Sequence, residues 1–208
     1  ILQALSAGID VVDMALQAGN LKKIRTAWPL VQRGLMRTNG LILDMLAYSK
    51  DRLPLREELD VNDVLTGCID LIAHLADERQ IAMMTDLTEL PPLHADSDGL
   101  LQGFLNLLTN ALDAVDDNTG VVTVKTHYET LEREILIQII DNGCGIAPEK
   151  IHEIFQPFFS GKGQQGTGLG LAVAKKIFKE HGGNISVESA VDEGTTFTIV
   201  LPLFAKHT

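Results

Sequence analysis

A nearly continuous apolar run, Ile135-Leu136-Ile137-Gln138-Ile139-Ile140, stops abruptly at Asp141-Asn142-Gly143-Cys144-Gly145-Ile146, and this junction restricts the fold more than any other stretch of the chain. A short run rich in β-branched residues fits a strand buried in a sheet. A carboxylate at the tip of such a strand, followed closely by glycines, sets a hydrogen-bond acceptor beside backbone that no side chain shields. A flat ring can approach there, and the acid can accept from an exocyclic amine such as that of adenine. The same residues also make an ordinary Asp-Asn-Gly turn.

Two further stretches have the same double character. A helix expected from about Ser97 to Val115 carries Leu101, Phe104, Leu105, Leu108 and Leu112 on its apolar side, while Gln102, Asn106, Asn110 and Asp113 form a polar stripe. A solvated helix face has that pattern too. This stripe, however, holds amides and an acid with no lysine or arginine, a set that hydrated magnesium and phosphate oxygens would satisfy and that would be costly to bury alone. Gly166-Thr167-Gly168-Leu169-Gly170-Leu171 opens a helix expected over Leu169–His181, where free amides and the helix dipole favour an anion such as a triphosphate. Lys162, just upstream, would add positive charge. A flexible connector would use the same glycines, and a loop lysine is commonly a solvated side chain.

Ahead of these stretches the pattern changes. Leu2, Leu5, Ile9, Val12 and Leu16 step by three and four, Gly19-Asn20 breaks the series, and Ile24, Trp28, Val31, Leu35, Thr38, Ile42 and Met45 resume it, so residues 1–48 read as a helical hairpin. Pro29 would kink the second helix or mark its first turn, because proline lacks a donor and clashes one turn back. Val11, Met14, Leu41 and Leu46 fall off the main stripe, and a bare hairpin cannot cover them. A second copy completing a four-helix bundle would, as would docking onto the rest of the chain. Asp51 to Glu58, charged and containing Pro54, reads as a linker.

Val61, Val64, Leu65, Cys68, Ile69, Ile72 and Leu75 then mark a helix capped by Asp60 or Asn62. Strands are expected at about Ile81–Leu87, Val121–His127, Glu134–Ile140, Asn184–Ser189 and Thr196–Leu201. The order gives an α+β chain. Residues 1–52 form an antiparallel helical hairpin, and residues 53–208 form an α/β sandwich with helices on one side of a mixed sheet.

Composition sets outer limits. Of 208 residues, 45% are hydrophobic, which is enough for a sizeable core. A formal net charge of −11 weighs against nucleic acid as the main partner, since phosphates would be repelled. No apolar run approaches the roughly 18 residues that cross a bilayer, and a signal peptide's charged-then-apolar opening is missing. Cys68 and Cys144 sit in unlike settings, which disfavours a disulfide and fits a reducing, cytoplasmic compartment.

Taken in order, Asn110, Asp141-x-Gly143-x-Gly145, Phe155-x-x-Phe158-Phe159 and Gly166-Thr167-Gly168-Leu169-Gly170 resemble the N, G1, F and G2 boxes of two-component sensor histidine kinases in the GHKL ATPase superfamily. Gly182-Gly183-Asn184-Ile185-Ser186-Val187 and Gly194-Thr195-Thr196-Phe197 through Leu201-Pro202 look like the end of the same domain, so the resemblance covers about Asp60 to Pro202. It implies that Asn110 ligates magnesium, that Asp141 binds the adenine amine, and that Gly143 to Gly170 form a mobile lid anchored by Phe155 and Phe158. The implied ATP-binding set is Asn110, Asp113, Asp141, Gly143, Gly145, Ile146, Phe155, Phe158, Thr167, Gly168, Leu169, Gly170 and Thr195. Asn106 and Lys162 are the candidate catalytic residues, and ATP and Mg2+ the cofactors.

Asn106 stands where gyrase, mismatch-repair and heat-shock chaperone members of the superfamily carry a glutamate that acts as general base for water. An amide cannot take a proton at neutral pH. Transfer of the γ-phosphoryl to another nucleophile is therefore expected in place of hydrolysis, with the protein supplying position and charge neutralisation.

Sensor kinases of this kind carry the phosphoacceptor histidine on the first hairpin helix. Residues 1–48 hold none, because His74, His94, His127, His152, His181 and His207 all lie further on. Structural roles are expected for these six, with His181 at a helix C-terminus where a cation is favourable. The acceptor is expected upstream of Ile1. The resemblance implies a protein histidine kinase core that forms a homodimer through its hairpin and passes phosphate to a response-regulator receiver domain, with no nucleic acid or membrane partner in these residues. Two other readings share the sequence: an ATP-binding docking scaffold without chemistry, and a GHKL kinase acting on serine or threonine.

Overall fold

The computed structural model describes residues 2–28, 55–159 and 168–203, together with Val31, Gly34, Leu35, Thr38 and Met45. Helix α1 (Leu2–Gln17) is followed by a turn and by a second helix, α2, described over residues 21–28. Two residues make the reversal. Gly19 takes φ +61°, where a side chain would be strained. Asn20 returns its N–H to the Ala15 carbonyl at 2.8 Å, and its Oδ1 accepts from the Lys23 amide at 3.1 Å, so one residue closes α1 and caps α2. Because α2 is already helical from residue 21, Pro29 does not mark its first turn. Pro29 itself lies outside the described residues, and with it the expected kink. Ala15 and Ala27 are buried, whereas Ile9, Val11, Met14, Leu16, Leu21 and Trp28 are exposed.

The rest of the chain runs β1 (Glu57–Leu59), α3 (Val61–Glu78), β2 (Ala82–Leu87), β3 (Leu93–Ala95), α4 (Ser97–Ala114), β4 (Val121–Glu129), β5 (Glu134–Asp141), α5 (Gly170–Glu180), β6 (Asn184–Ala190) and β7 (Gly194–Pro202). Five strands form one mixed sheet in the order β2-β4-β5-β7-β6, with β2 parallel to β4 and the remaining pairs antiparallel. The period of two decides which side is core. Ile135, Ile137, Ile139 and Asp141 of β5 are buried, and the residues between them are half-exposed. Helices α3, α4 and α5 cover the buried face, giving the two-layer α/β sandwich.

Packing between α4 and α5 depends on one small residue. A Cβ at Gly103 would come within 3.0 Å of the Phe178 ring, and this close approach lets Phe104 and Phe178 meet at 5.4 Å between centroids. Both rings are fully buried, and each contributes about 2–3 kcal/mol of apolar burial.

The segment expected as a linker, Asp51 to Glu58, is corrected over its last residues. Glu57–Leu59 pairs antiparallel with Leu93–Ala95 in a small second sheet. Strands of three residues are too short to show alternation, so neither was legible. His181 has the structural role expected of it. It is buried, its Nδ1–H donates to the Ile177 carbonyl at 2.8 Å, and its Nε2 accepts the Asp96 amide at 3.0 Å. That pair of bonds joins the end of α5 to the cap of α4.

Candidate nucleotide site

Helix α4 is fixed at both ends before it presents anything. Asp96 caps its start, accepting the Gly99 amide at 3.2 Å. Its last turn has no basic residue of its own. Arg79, from the end of α3, fills that role with Nη1 donating to the Leu112 carbonyl at 2.7 Å, Nη2 to Val115 at 2.9 Å and Nε to Asp117 at 2.6 Å.

The apolar side of α4 buries Leu100, Phe104, Leu107, Leu108 and Leu112, which leaves Asn106 and Asn110 half-buried and Asp113 exposed on the polar stripe. Asn106 Nδ2 donates to the Gly170 carbonyl at 3.1 Å, tying α4 to the start of α5. The side-chain amide of Asn110 is engaged by no hydrogen bond among the described residues. No group of three or more His, Cys, Asp or Glu among the described residues could hold a metal by itself. One half-buried amide oxygen fits Mg2+ of the kind that keeps its waters and takes most ligands from phosphate.

At the tip of β5, Asp141 is only 4% exposed and its Oδ1 accepts the Gly143 amide at 2.9 Å. The β5–β7 register sets it opposite Thr195, which is also buried. The loop that follows is clamped by backbone. Gly143 lies against the Ala114 carbonyl and Gly145, at φ +66°, against the Ala190 carbonyl, so a Cβ at either position would collide with an oxygen. Cys144 donates its amide to Ala114 at 3.1 Å and accepts that of Asp192 at 2.9 Å, while Ile146 donates to Ser189 Oγ at 2.8 Å. These glycines are thus required by protein contacts. Asn142 turns away, its side chain bonding Val121 and Thr119 to tie the start of β4 to the end of β5.

Phe155 sits half-buried, edge-on to Phe197 at 6.3 Å, with Lys175 Nζ 4.8 Å from its ring centroid. Phe158, the other expected anchor, is 70% exposed. What it contributes is backbone: at φ +66° its N–H donates to the Gly168 carbonyl at 2.8 Å, and Gly168, at φ +68°, packs against it. Ile154 and Phe159 join Phe155 at the core in its place. Leu169 is buried, and α5 begins at Gly170 with no side-chain cap and no acidic residue in its first turn. Lys162 and Thr167 lie outside the described residues.

The polar stripe of α4 therefore runs from the opening of α5, touched by Asn106, to the loop after Asp141, touched by Ala114. Eight residues of helix span roughly 12 Å. At one end are buried acceptors suited to an amine, at the other uncapped amides suited to an anion, and between them lies Asn110. Residues 95–205 match the family described as histidine kinase-, DNA gyrase B-, and HSP90-like ATPase. The chain belongs to this family.

Relatives of this ATPase-family chain include the sensor histidine kinase ZraS of Salmonella typhi, 36% identical over 172 residues, an alignment that covers 82% of this chain. The chain spans 36% of the length of that relative. Among solved structures, the catalytic domain of histidine kinase ThkA is 28% identical with a TM-score of 0.65, covering 71% of this chain and 95% of that one. A second ThkA structure, solved in complex with response regulator protein TrrA, matches all of this chain and 61% of its own with a TM-score of 0.73; at 22% identity the likeness is one of fold. The fold described here is that of these histidine kinase structures.

Several residues that shape the site in this ATPase-family domain carry no signal in the sequence. Ser189 and Arg79 act from β6 and α3, far along the chain from what they hold, and a serine in a strand or an arginine at a helix end is too common to single out.

Proposed function

We propose that the chain is the dimerisation and catalytic core of a two-component sensor histidine kinase, which binds Mg·ATP and transfers the γ-phosphoryl to a histidine and then to a response-regulator receiver domain. The observation that carries this is the α4 stripe, in which an unengaged Asn110 lies between the Asp141 loop and the α5 opening while an amide, Asn106, occupies the place of a base. In this reading Asp141 accepts from the adenine amine with Thr195 beside it, and Gly143, Gly145 and Ile146 shape the loop around the base. The first-turn amides of α5, with Thr167, Gly168, Leu169, Gly170 and Lys162, hold the phosphates, Phe155 steadies the lid, and Asp113 borders the polar stripe. Magnesium at Asn110 would neutralise phosphate oxygens.

Asn106 has no basic atom and is tied to Gly170, so water is not activated. An imidazole nitrogen brought in line forms the new P–N bond as the β–γ P–O bond breaks, and its electron pair leaves on ADP. Residues 1–48 hold no histidine, so the acceptor is supplied from elsewhere, in this reading from upstream of Ile1. Exposed Ile9, Met14, Leu16 and Trp28 on the hairpin support its role as a homodimer interface. Residues 1–52 and 53–208 are the two functional units, working in the cytoplasm. No helix among the described residues is long and apolar enough to cross a membrane.

Titration calorimetry and labelled ATP test this. The chain is expected to bind Mg·ATP, to turn it over slowly, and to form acid-labile phosphohistidine only when extended upstream of Ile1, the label then moving to a receiver domain. Rapid steady ATP hydrolysis, or an acid-stable phosphoprotein, would rule it out.

A further inference from the structure

The hydroxyl of Ser189 is the centre of a small bond network beside Asp141. Its Oγ lies 2.7 Å from the Gly194 carbonyl, 2.8 Å from the Ile146 amide nitrogen and 3.0 Å from Thr195 Oγ1. One assignment of hydrogens satisfies all three. A carbonyl only accepts and an amide N–H only donates, so Ser189 commits its single hydrogen to Gly194 and receives that of Ile146. Thr195 must then donate the third bond. It has no second hydrogen, and the lone pairs left on its oxygen can only accept. In the β5–β7 register Thr195 stands directly opposite Asp141 on the same buried face, and an ionised carboxylate also only accepts. The nearby Gly143 amide is already given to Asp141.

We propose that Ser189 is a positioning residue for base selection: by taking the hydrogen of Thr195 it makes Asp141 and Thr195 a pair of acceptors, which selects a purine with an amino group over one with a keto oxygen at the same place. This rests on Asp141 being the base-binding residue. An amine supplies two hydrogens to the two acceptors. A keto oxygen would meet only lone pairs.

The test is calorimetric titration of the chain with Mg·ATP and with Mg·ITP, whose hypoxanthine carries a keto oxygen where adenine has its amine. Wild type is expected to prefer ATP. Ser189→Ala frees the Thr195 hydrogen to donate, so the ratio of the two dissociation constants should fall about tenfold. Ser189→Thr keeps the hydroxyl and should restore it. Equal weakening of both nucleotides in Ser189→Ala, as a purely structural role would give, overturns the proposal, as does an unchanged ratio. Should Ser189→Ala fail to melt cooperatively, Thr195→Val, which removes the acceptor and keeps the shape, must lower the same ratio; a wild-type ratio there overturns it too. Wild type that binds ATP and ITP equally sinks this inference alone, whereas wild type that binds neither removes the nucleotide reading beneath it.

Discussion

Asn110 and Asp141 differ in what the protein itself asks of them. Asp141 is buried and holds the Gly143 amide, while Asn110 is half-buried with its amide unengaged among the described residues. Replacing Asn110 with Ala should therefore leave thermal stability within about 0.5 kcal/mol of wild type while removing the magnesium-dependent part of ATP binding, read by titrations with and without Mg2+. Loss of stability with intact metal dependence would reassign it to the fold. Asp141 stood out as a candidate because a carboxylate ends an apolar run there, although the same residues also make an ordinary Asp-Asn-Gly turn. Gly143 and Gly145 press on carbonyls of distant segments, Ala114 and Ala190, a cause for these glycines that no local pattern announces. Phe158, beside Phe155 and Phe159, takes a left-handed backbone and is exposed, which no local pattern announces.

Among elements, α4 is the one whose position decides the site, and its ends are held from outside. Arg79 forks onto the Leu112 and Val115 carbonyls, so Arg79→Ala should cost about 2–3 kcal/mol in a denaturant titration, two charge-assisted bonds to a helix end being lost. Arg79→Lys should recover less than half of this, because an ammonium cannot span both carbonyls. A full rescue by lysine would mean that charge alone matters. The helices and the long strands were readable from periodicity, since α3, α4 and α5 each place a sustained apolar face on the sheet. The pair β1 and β3 was not, because three residues carry no period and their pairing spans a whole helix.

Across the whole molecule, the two cysteines report burial in opposite senses. Cys68 is fully buried and desolvation pushes its thiol up to about 12, whereas Cys144 is exposed in the loop after Asp141. An aromatic disulfide reagent should titrate one thiol rapidly in the native protein and the second only on unfolding. The linkage has a definite sign. The folded value lies above the ordinary thiol value of 9.0, so the stability Cys68 contributes is fully present below pH 9 and is lost as pH rises towards 12, at about 1.4 kcal/mol per pH unit. Cys68→Ala should flatten that alkaline slope in melts run between pH 8 and 10.

The sequence by itself determined the α+β class and the order of the main elements, and it singled out Asn106, Asn110, Asp141 and Gly168 as candidates, because periodicity, capping and glycine placement act over a few neighbouring residues. Only the tertiary structure decided that Asn106 ties α4 to α5, that His181 bridges Ile177 and Asp96 and that Ser189 meets Ile146, Gly194 and Thr195 at once. A hydrogen bond between segments far apart in the chain depends on the packing that brings them within 3 Å or so, and that distance is a property of the folded whole.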